Sequence, residues 1–254
     1  MRVATFNVHG WSDRSGRPTT AGAIELLRSL ACDAIVLQEV PEASGTLARV
    51  ADALGMEHAF APAWFLGNAL LSAQPPLAFE VVPLASPLGE RRSAFVARLP
   101  WGGGTFTLWG THLDHMSESD RVEQLEALLA GVRARDRGGL TLLGGDLNAL
   151  RPADYGADEL ERIRAHREKS RWEPPKGEVT GRLEEEGWID LWRLARARDP
   201  GAPGVAATCW AGTRIDYLWA TGTFGDHARL IGCESVPSEV SDHLPVVAEI
   251  APPG

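Results

Sequence analysis

Six points along the chain share one pattern: a polar residue able to bind a metal, hold a phosphate or move a proton stands against an apolar run. Asn7 follows residues 3–6, Glu39 follows 35–38, His112 follows 106–111, and Asp146 with Asn148 follows 140–145. Asp216 lies inside 214–220, and Asp242-His243 opens the last run, 244–250. Short apolar runs of this kind read as β-strands. Strand ends are rigid, and packed sheets bring ends far apart in sequence to one rim. Six such placements suit a catalytic crevice better than chance.

Each of these residues has a chemical reading and a structural one. A carboxylate behind apolar residues, such as Glu39, is costly to bury unpaired. It is either a half-exposed or Arg-paired strand-end acid, or an oxygen ligand for Mg²⁺, which prefers carboxylates and water. Asn7 belongs to a type that commonly ends strands. In Gly144-Gly145-Asp146-Leu147-Asn148, the glycines allow close approach of backbone and ligand. Asp146 and Asn148, two residues apart, point to one side. There Asp146 would orient a water and the Asn148 amide would donate to a phosphoryl oxygen, although an Asx-rich turn has the same composition.

His243 can act as acid or base near neutral pH, or be a satisfied histidine at a strand start. A carboxylate on one ring nitrogen, with Asp216 as the candidate, would fix its tautomer and raise its basicity. Strand alternation sends Asp242 and His243 to opposite sides, one toward a metal and the other toward substrate. His112 could bond a phosphate oxygen or protonate a leaving group, and His115 is expected at solvent or the groove edge. A zinc site is excluded by the count: no HExxH occurs, no cysteine lies near, and no second His pair has ligand spacing. GxSxG and GxxxxGK[ST] are also missing from the sequence. Arg162, Arg164, Arg167, Lys169 and Arg171, followed by Trp172, form a basic cluster. It is either a solvated helix face or a lip that steers phosphates and stacks bases.

The elements that would position these groups are legible in outline. Residues 21–30 and 47–54 carry helical stripes. Residues 66–72, 77–84, 93–99 and 105–110 read as strands, with turns at Pro75-Pro76 and Gly102-Gly103-Gly104. The clearest helix is 117–135, with Val122, Leu125, Leu128, Leu129 and Val132 on one face and a capping start at Ser117 and Asp120. Residues 140–143 are another buried strand, 151–187 an elaborated polar, helix-leaning loop, and 214–220, 228–233 and 244–250 return to strands. Strands in both halves, each with helices, predict one domain over 1–254: two sheets face to face with helices outside. The loops 11–18, 86–91 and 151–186 are expected to decide the substrate.

Composition narrows the function classes. The 254 residues hold 25 Lys+Arg against 34 Asp+Glu, a net charge of −9, with 44% hydrophobic and 23% charged residues. That is globular, and the acidic balance argues against gripping long nucleic acid through bulk charge. No apolar run approaches the ~18 residues of a membrane span. Three dispersed cysteines and the lack of a secretion-type start predict a reduced, cytoplasmic protein. A monomer is the default.

In order, the segments Thr5-Phe6-Asn7-Val8, Leu37-Gln38-Glu39-Val40, Gly67-Asn68-Ala69-Leu70-Leu71-Ser72, Thr111-His112-Leu113, Gly145-Asp146-Leu147-Asn148, Gly187-Trp188-Ile189-Asp190, Arg214-Ile215-Asp216-Tyr217 and Ser241-Asp242-His243-Leu244-Pro245-Val246 resemble the endonuclease/exonuclease/phosphatase (DNase I-like) superfamily. The resemblance implies an α/β fold, a four-layered α/β-sandwich of two mainly antiparallel sheets. It also implies Mg²⁺- or Mn²⁺-dependent hydrolysis of phosphoesters, with a phosphorylated substrate, DNA or RNA among the candidates. On that basis Glu39 is the main metal ligand, assisted by Asn7 and Asp242. Asp146 would activate the water, Asn148 would hold the phosphoryl group, and His243, oriented by Asp216, would serve the phosphate in flight. His112 stands where DNase-like members carry His and repair endonucleases Tyr. The arrangement Thr111-His112-Leu113, Arg121, Gln124 resembles the phosphodiesterase and tyrosyl-DNA phosphodiesterase branches. Asn68, Arg121, Arg167 and Trp172 are the expected substrate contacts. The implied activity is a phosphodiesterase or nuclease for nucleic-acid ends or short nucleic acids; the alternative is a phosphatase or phosphodiesterase of a small or lipid phosphate.

Overall fold

The apolar runs become strands buried on both faces because a layer covers each side of each sheet. The computed structural model describes residues 1–42, 45–84, 92–135, 137–199 and 207–253; the expected loop 86–91 therefore lies outside the described residues. In β1 (Arg2–Asn7) and β2 (Ala34–Pro41), successive side chains alternate between two cores. Val3 and Val36 point between the sheets, whereas Ala4, Phe6, Ile35 and Leu37 point into a helix-covered core. Two-sided burial is what turns a period-2 pattern into a continuous apolar run.

The first sheet also holds β3 (Glu57–Ala61), β4 (Leu66–Ser72), β11 (Arg229–Ser235) and β12 (Val246–Ala251), in the order β11-β12-β1-β2-β4-β3. The second holds β5 (Ala78–Leu84), β6 (Arg92–Trp101), β7 (Gly104–His112), β8 (Thr141–Asp146), β9 (Ile189–Asp190) and β10 (Asp216–Ala220), in the order β5-β6-β7-β8-β10-β9. Each sheet has one parallel pair, β1–β2 in the first and β7–β8 in the second, and is otherwise antiparallel. Helices α1 (Thr20–Leu30) and α2 (Thr46–Leu54) cover the first sheet. On the second lie α3 (Glu118–Arg135) and α5 (Glu178–Glu185). This is the expected four-layered sandwich.

Several local expectations need correction. The polar segment 151–187 is largely helical, with α4 (Ala157–Lys169) preceding α5. Helix α6 (Leu191–Arg198) was not foreseen; it inserts Leu191 and Trp192 into the core between the sheets. A short α7 (Phe224–His227) precedes β11. The last strand begins at Val246, so Asp242 and His243 precede it. The glycine pair before Asp146 serves packing rather than ligand approach. A Cβ on Gly145 would sit 2.2 Å from the Thr111 carbonyl oxygen, and one on Gly144 would meet Leu218 at 3.1 Å and Val36 at 3.2 Å. Among the described residues no helix is long and apolar enough to cross a membrane.

Candidate active site

Strand register assembles the centre. His112, at the end of β7, pairs with Asp146 at the end of β8, which pairs in turn with Asp216 at the start of β10. Three chemically active residues thus form a row across neighbouring strands. Asn7 ends β1 in the facing sheet, and its amide Nδ2 donates to Asp146 Oδ2 at 3.1 Å and to Glu39 Oε1 at 3.0 Å. One side chain thereby ties the sheets together at their rim. The His9 amide donates to Asn7 Oδ1 at 3.0 Å, which fixes the amide orientation. Asn7, expected to assist Glu39 at the metal, positions both carboxylates with its amide nitrogen.

Glu39 lies within β2, where the register with β4 slips between Leu37 and Val40, and its φ is 56°. A β-bulge of this kind re-aims a side chain, and here it turns the carboxylate into the crevice. His9 (φ 46°) and Asn148 (φ 49°) share the left-handed conformation. Such backbone costs about 1–3 kcal/mol per residue and clusters at functional sites. All three residues line one cavity of about 610 Å³.

His243 enters from the segment before β12. Asp216 Oδ2 lies 2.9 Å from its Nδ1, and its Nε2 faces Asp146 Oδ2 at 3.8 Å. Burial alone would push the imidazole toward neutrality, but the charge and hydrogen bond of Asp216, with Asp146 beyond, hold its pKa well above the ordinary value. That balance favours the imidazolium, with Nδ1–H donating to Asp216 Oδ2. Asp146 moves up to about 7, chiefly through burial and then through the like charge of Asp216. That is a carboxylate poised to accept a proton near neutral pH.

His112 goes the other way. Burial, then repulsion from Arg92, His243 and His115, holds it well below its usual value. A neutral His112 is an acceptor for the Asn148 amide, Nδ2 to Nε2 at 3.0 Å, and is not the acid that could protonate a leaving group. Asn148 Nδ2 also donates to the Leu113 carbonyl at 3.1 Å, while the Asn148 backbone N–H donates to Asp146 Oδ1 at 2.9 Å.

The remaining expected residues divide. Asp242 lines the same cavity as His243; both stand outside regular strand, so strand alternation does not separate them. Trp172 and His115 also line it. Arg167 lines a second cavity that shares Trp172 as a wall. Arg121 and Asn68 line neither cavity and are corrected to structural roles. Arg121 is only 1% exposed, bonded to Glu118 Oε2 at 2.7 Å and to the Asp114 carbonyl at 3.0 Å. Asn68, also buried, donates to the Ser93 carbonyl at 2.8 Å and so joins the two sheets.

Sequence reasoning missed His9, Trp64, Phe65, Arg92 and Trp210 on the crevice wall. His9 stands two residues beyond Asn7, and Trp64-Phe65 is an aromatic pair outside any strand; those were the available signals. Trp64 and Phe65 are exposed and stacked, with centroids 5.3 Å apart and planes 11° off parallel.

A buried ionic post supports the second sheet beside the site. Arg214 Nη2 lies 2.5 Å from Asp154 Oδ2 and 2.7 Å from Asp190 Oδ2. Tyr155 accepts from the Arg214 amide at 2.9 Å, and Thr208 Oγ1 accepts from the amides of Ile215 and Asp216, each at 3.0 Å. The strand that delivers Asp216 is thereby held from several sides.

Residues 4–243 match the model of the Endonuclease/Exonuclease/phosphatase family. The chain belongs to that family. Its members are metal-dependent phosphoesterases, and they generally use divalent ions. No curated protein matches the sequence. Among solved structures, the human Nocturnin catalytic domain with bound sulfate superposes with a TM-score of 0.74 at 20% identity, covering 99% of this chain and 93% of that one. An AP endonuclease from Archaeoglobus fulgidus gives 0.73 at 20% identity, with 98% of each chain covered. A mannosyl-6-phosphatase from Bacteroides thetaiotaomicron gives 0.71 at 14% identity, with 99% of each covered. At these identities the likeness is one of fold.

The residues of this family member fit a hard divalent cation. Glu39 and Asp242 bring carboxylate oxygens to one cavity, the donor type that Mg²⁺ and Mn²⁺ prefer. Asp216 Oδ1 is buried with no hydrogen-bond partner, and burial, then the like charge of Asp216, raises Asp146; a cation would relieve that imbalance. Ligand atoms of Asp146, Asp216 and His243 also lie within 4.8 Å of one another.

Proposed function

We propose that the protein is a Mg²⁺- or Mn²⁺-dependent phosphodiesterase that hydrolyses nucleic-acid ends or short nucleic acids. The observation that carries this reading is the convergence of Glu39, Asp242, Asp146, Asn148 and His243 on one cavity rimmed by exposed aromatic rings. Planar rings beside a phosphate site suit stacking on bases, which tolerates any sequence.

Glu39 and Asp242 would hold the cation, with Asn7 fixing the Glu39 carboxylate. When bound, the cation would supply Lewis-acid stabilisation of the charge that develops on the phosphate. Asp146 takes a proton from water, whose oxygen then attacks phosphorus in line with the departing ester oxygen. The new P–O bond forms as the P–O bond to the leaving oxygen breaks, and that oxygen takes a proton from solvent water to leave as the alcohol. His243, held by Asp216, donates from Nε2–H to a non-bridging oxygen. Asn148 turns one amide hydrogen from His112 to the same phosphoryl group. One preorganised donor of this type is worth about 3 kcal/mol of barrier.

A second reading, hydrolysis of a small or lipid phosphate, is favoured by the net charge of −9, which repels a long polyanion. Single-stranded DNA, nicked plasmid, bis(p-nitrophenyl) phosphate and p-nitrophenyl phosphate, each with Mg²⁺ or EDTA, separate the two. Cleavage of diesters and DNA supports the proposal, and cleavage of monoesters alone overturns it. Cys32, Cys209 and Cys233 are free and buried, in keeping with a reducing compartment, and the proposal assigns a monomer to the cytoplasm.

A further inference from the structure

A second cavity, of about 350 Å³, lies behind the crevice and is lined by Arg162, Ile163, His166 and Arg167 of α4, by Trp172 and by Thr213. Its size falls at the lower end of small-ligand sites, roughly 300–1,000 Å³. Trp172 also lines the crevice, so one ring separates the two spaces. His166 completes that partition, touching Trp172 edge-on at 5.8 Å and Trp210 at 5.6 Å.

The chemistry of this space differs from that of the chain as a whole. The chain carries −9, yet here two guanidinium groups and an imidazole face a single acid, Glu159. Both arginines are anchored through Nε to backbone carbonyls, Arg162 to Asp158 at 3.3 Å and Arg167 to Glu173. Anchoring a guanidinium at Nε pre-orders the terminal amines, the groups that grip phosphate in bidentate fashion. Ile163 and the Trp172 ring add an apolar wall. His166 Nε2 is buried with no hydrogen-bond partner, a state that an incoming acceptor would correct.

We infer that this cavity is a second phosphate subsite, which takes the nucleotide adjoining the scissile phosphate. The inference rests on the nucleic-acid reading of the crevice and extends it: the preferred substrate has at least two phosphates one nucleotide apart. A lone phosphomonoester fills only the crevice. A dinucleotide spans both spaces, past Trp172.

The test compares two probes, 5′-phosphorylated dithymidylate and thymidine 5′-monophosphate, titrated by calorimetry in EDTA so that nothing turns over. Wild-type protein binds the dinucleotide about tenfold more tightly. In Arg162→Gln and Arg167→Gln, that ratio falls to about one. Equal affinities in the wild type overturn the inference, as does a ratio unchanged in both variants, or an equal loss for both probes. Hydrolysis of the dinucleotide in a parallel Mg²⁺ assay tests the catalytic reading separately. Its failure removes that reading but not a measured affinity ratio.

Discussion

Asp216 Oδ2 and His243 Nδ1 lie 2.9 Å apart although they come from different sheets, one opening β10 and the other preceding β12. Ser241 secures the His243 side: its hydroxyl donates to the Asn7 carbonyl at 2.8 Å and accepts the His243 amide at 3.2 Å. The pair is thus fixed to β1 as well as β10. Without it, His243 would sit buried and neutral. His243→Ala should lower kcat by about 10²–10³-fold. Asp216→Asn should remove most of that effect's charge component, seen as a loss in kcat with KM little changed. Wild-type kcat in either variant would remove His243 from the chemistry.

The pH dependence follows from Asp146. As the base it must be ionised, and its pKa stands at about 7, so the rate should fall about tenfold per pH unit below that value. Added Mg²⁺ should move this limb to lower pH, because a cation favours the carboxylate. Stability takes the opposite sign. An unfolded Asp ionises near ~3.9, so in metal-free protein the ionisation of Asp146 penalises the fold increasingly from there to about 7 and fully above it. Asp146→Asn should therefore melt a few degrees above wild type at pH 8 in EDTA, with the gain shrinking toward pH 4. Activity in the same variant should drop about 10²–10⁴-fold.

The cation requirement should report on Glu39. Replacing one oxygen ligand with an amide leaves the bond from Asn7 possible but removes charge. Glu39→Gln should raise the Mg²⁺ concentration at half-maximal rate about tenfold or more, with saturating rates approached only at high Mg²⁺. A Mg²⁺ titration of the initial rate reads this directly, and an unshifted midpoint would place the cation elsewhere.

Much of the centre was legible because strand ends leave a local trace: an apolar run, then a residue with chemistry. Asn7, His112 and Asp146 were found this way and Asp216 from within its run, and register alone brings the last three into one row. Glu39 was found for the right chemistry, but its direction depends on a bulge that no periodicity records. The charge states of the two buried histidines were not legible either. Both look alike in sequence, and they diverge because Asp216 touches His243, whereas His112 is buried beside Arg92, His243 and His115. Arg121 misled because a buried arginine satisfied by Glu118 has the same letter as one that grips substrate. The short edge strand β3 and helix α6 lack a long periodic stripe, and tertiary packing decides them.

The ionic post at Arg214 should govern stability more than chemistry. Removing one partner of a buried ion pair strands the other charges and costs about 3–5 kcal/mol. Arg214→Ala leaves Asp190 Oδ2 buried without its cation, whereas Asp154 keeps Arg151 and Arg193. Denaturant unfolding should show a loss of that size. A loss below about 1 kcal/mol would mean that the post behaves as a solvated pair.

Trp64 and Phe65 separate the two substrate classes. If bases stack on this exposed pair, the double substitution to Ala should weaken binding of single-stranded oligonucleotide by about 1–3 kcal/mol per base lost from the stack. Hydrolysis of bis(p-nitrophenyl) phosphate serves as the reference substrate in the same variant. Equal losses on both substrates would point to damage of the crevice rather than lost stacking.

The central claim is that side chains from both sheets act together on one phosphodiester with a divalent cation. Its most direct measurement is the rate of p-nitrophenol release from thymidine 5′-monophosphate p-nitrophenyl ester by wild type, Asp146→Asn and His243→Ala, each in Mg²⁺ and in EDTA. We expect release by wild type in Mg²⁺, its loss in EDTA, and at least about 10²-fold slower release in either variant with an unchanged circular dichroism spectrum. Equal rates with and without the cation, or wild-type rates in both variants, would contradict the claim.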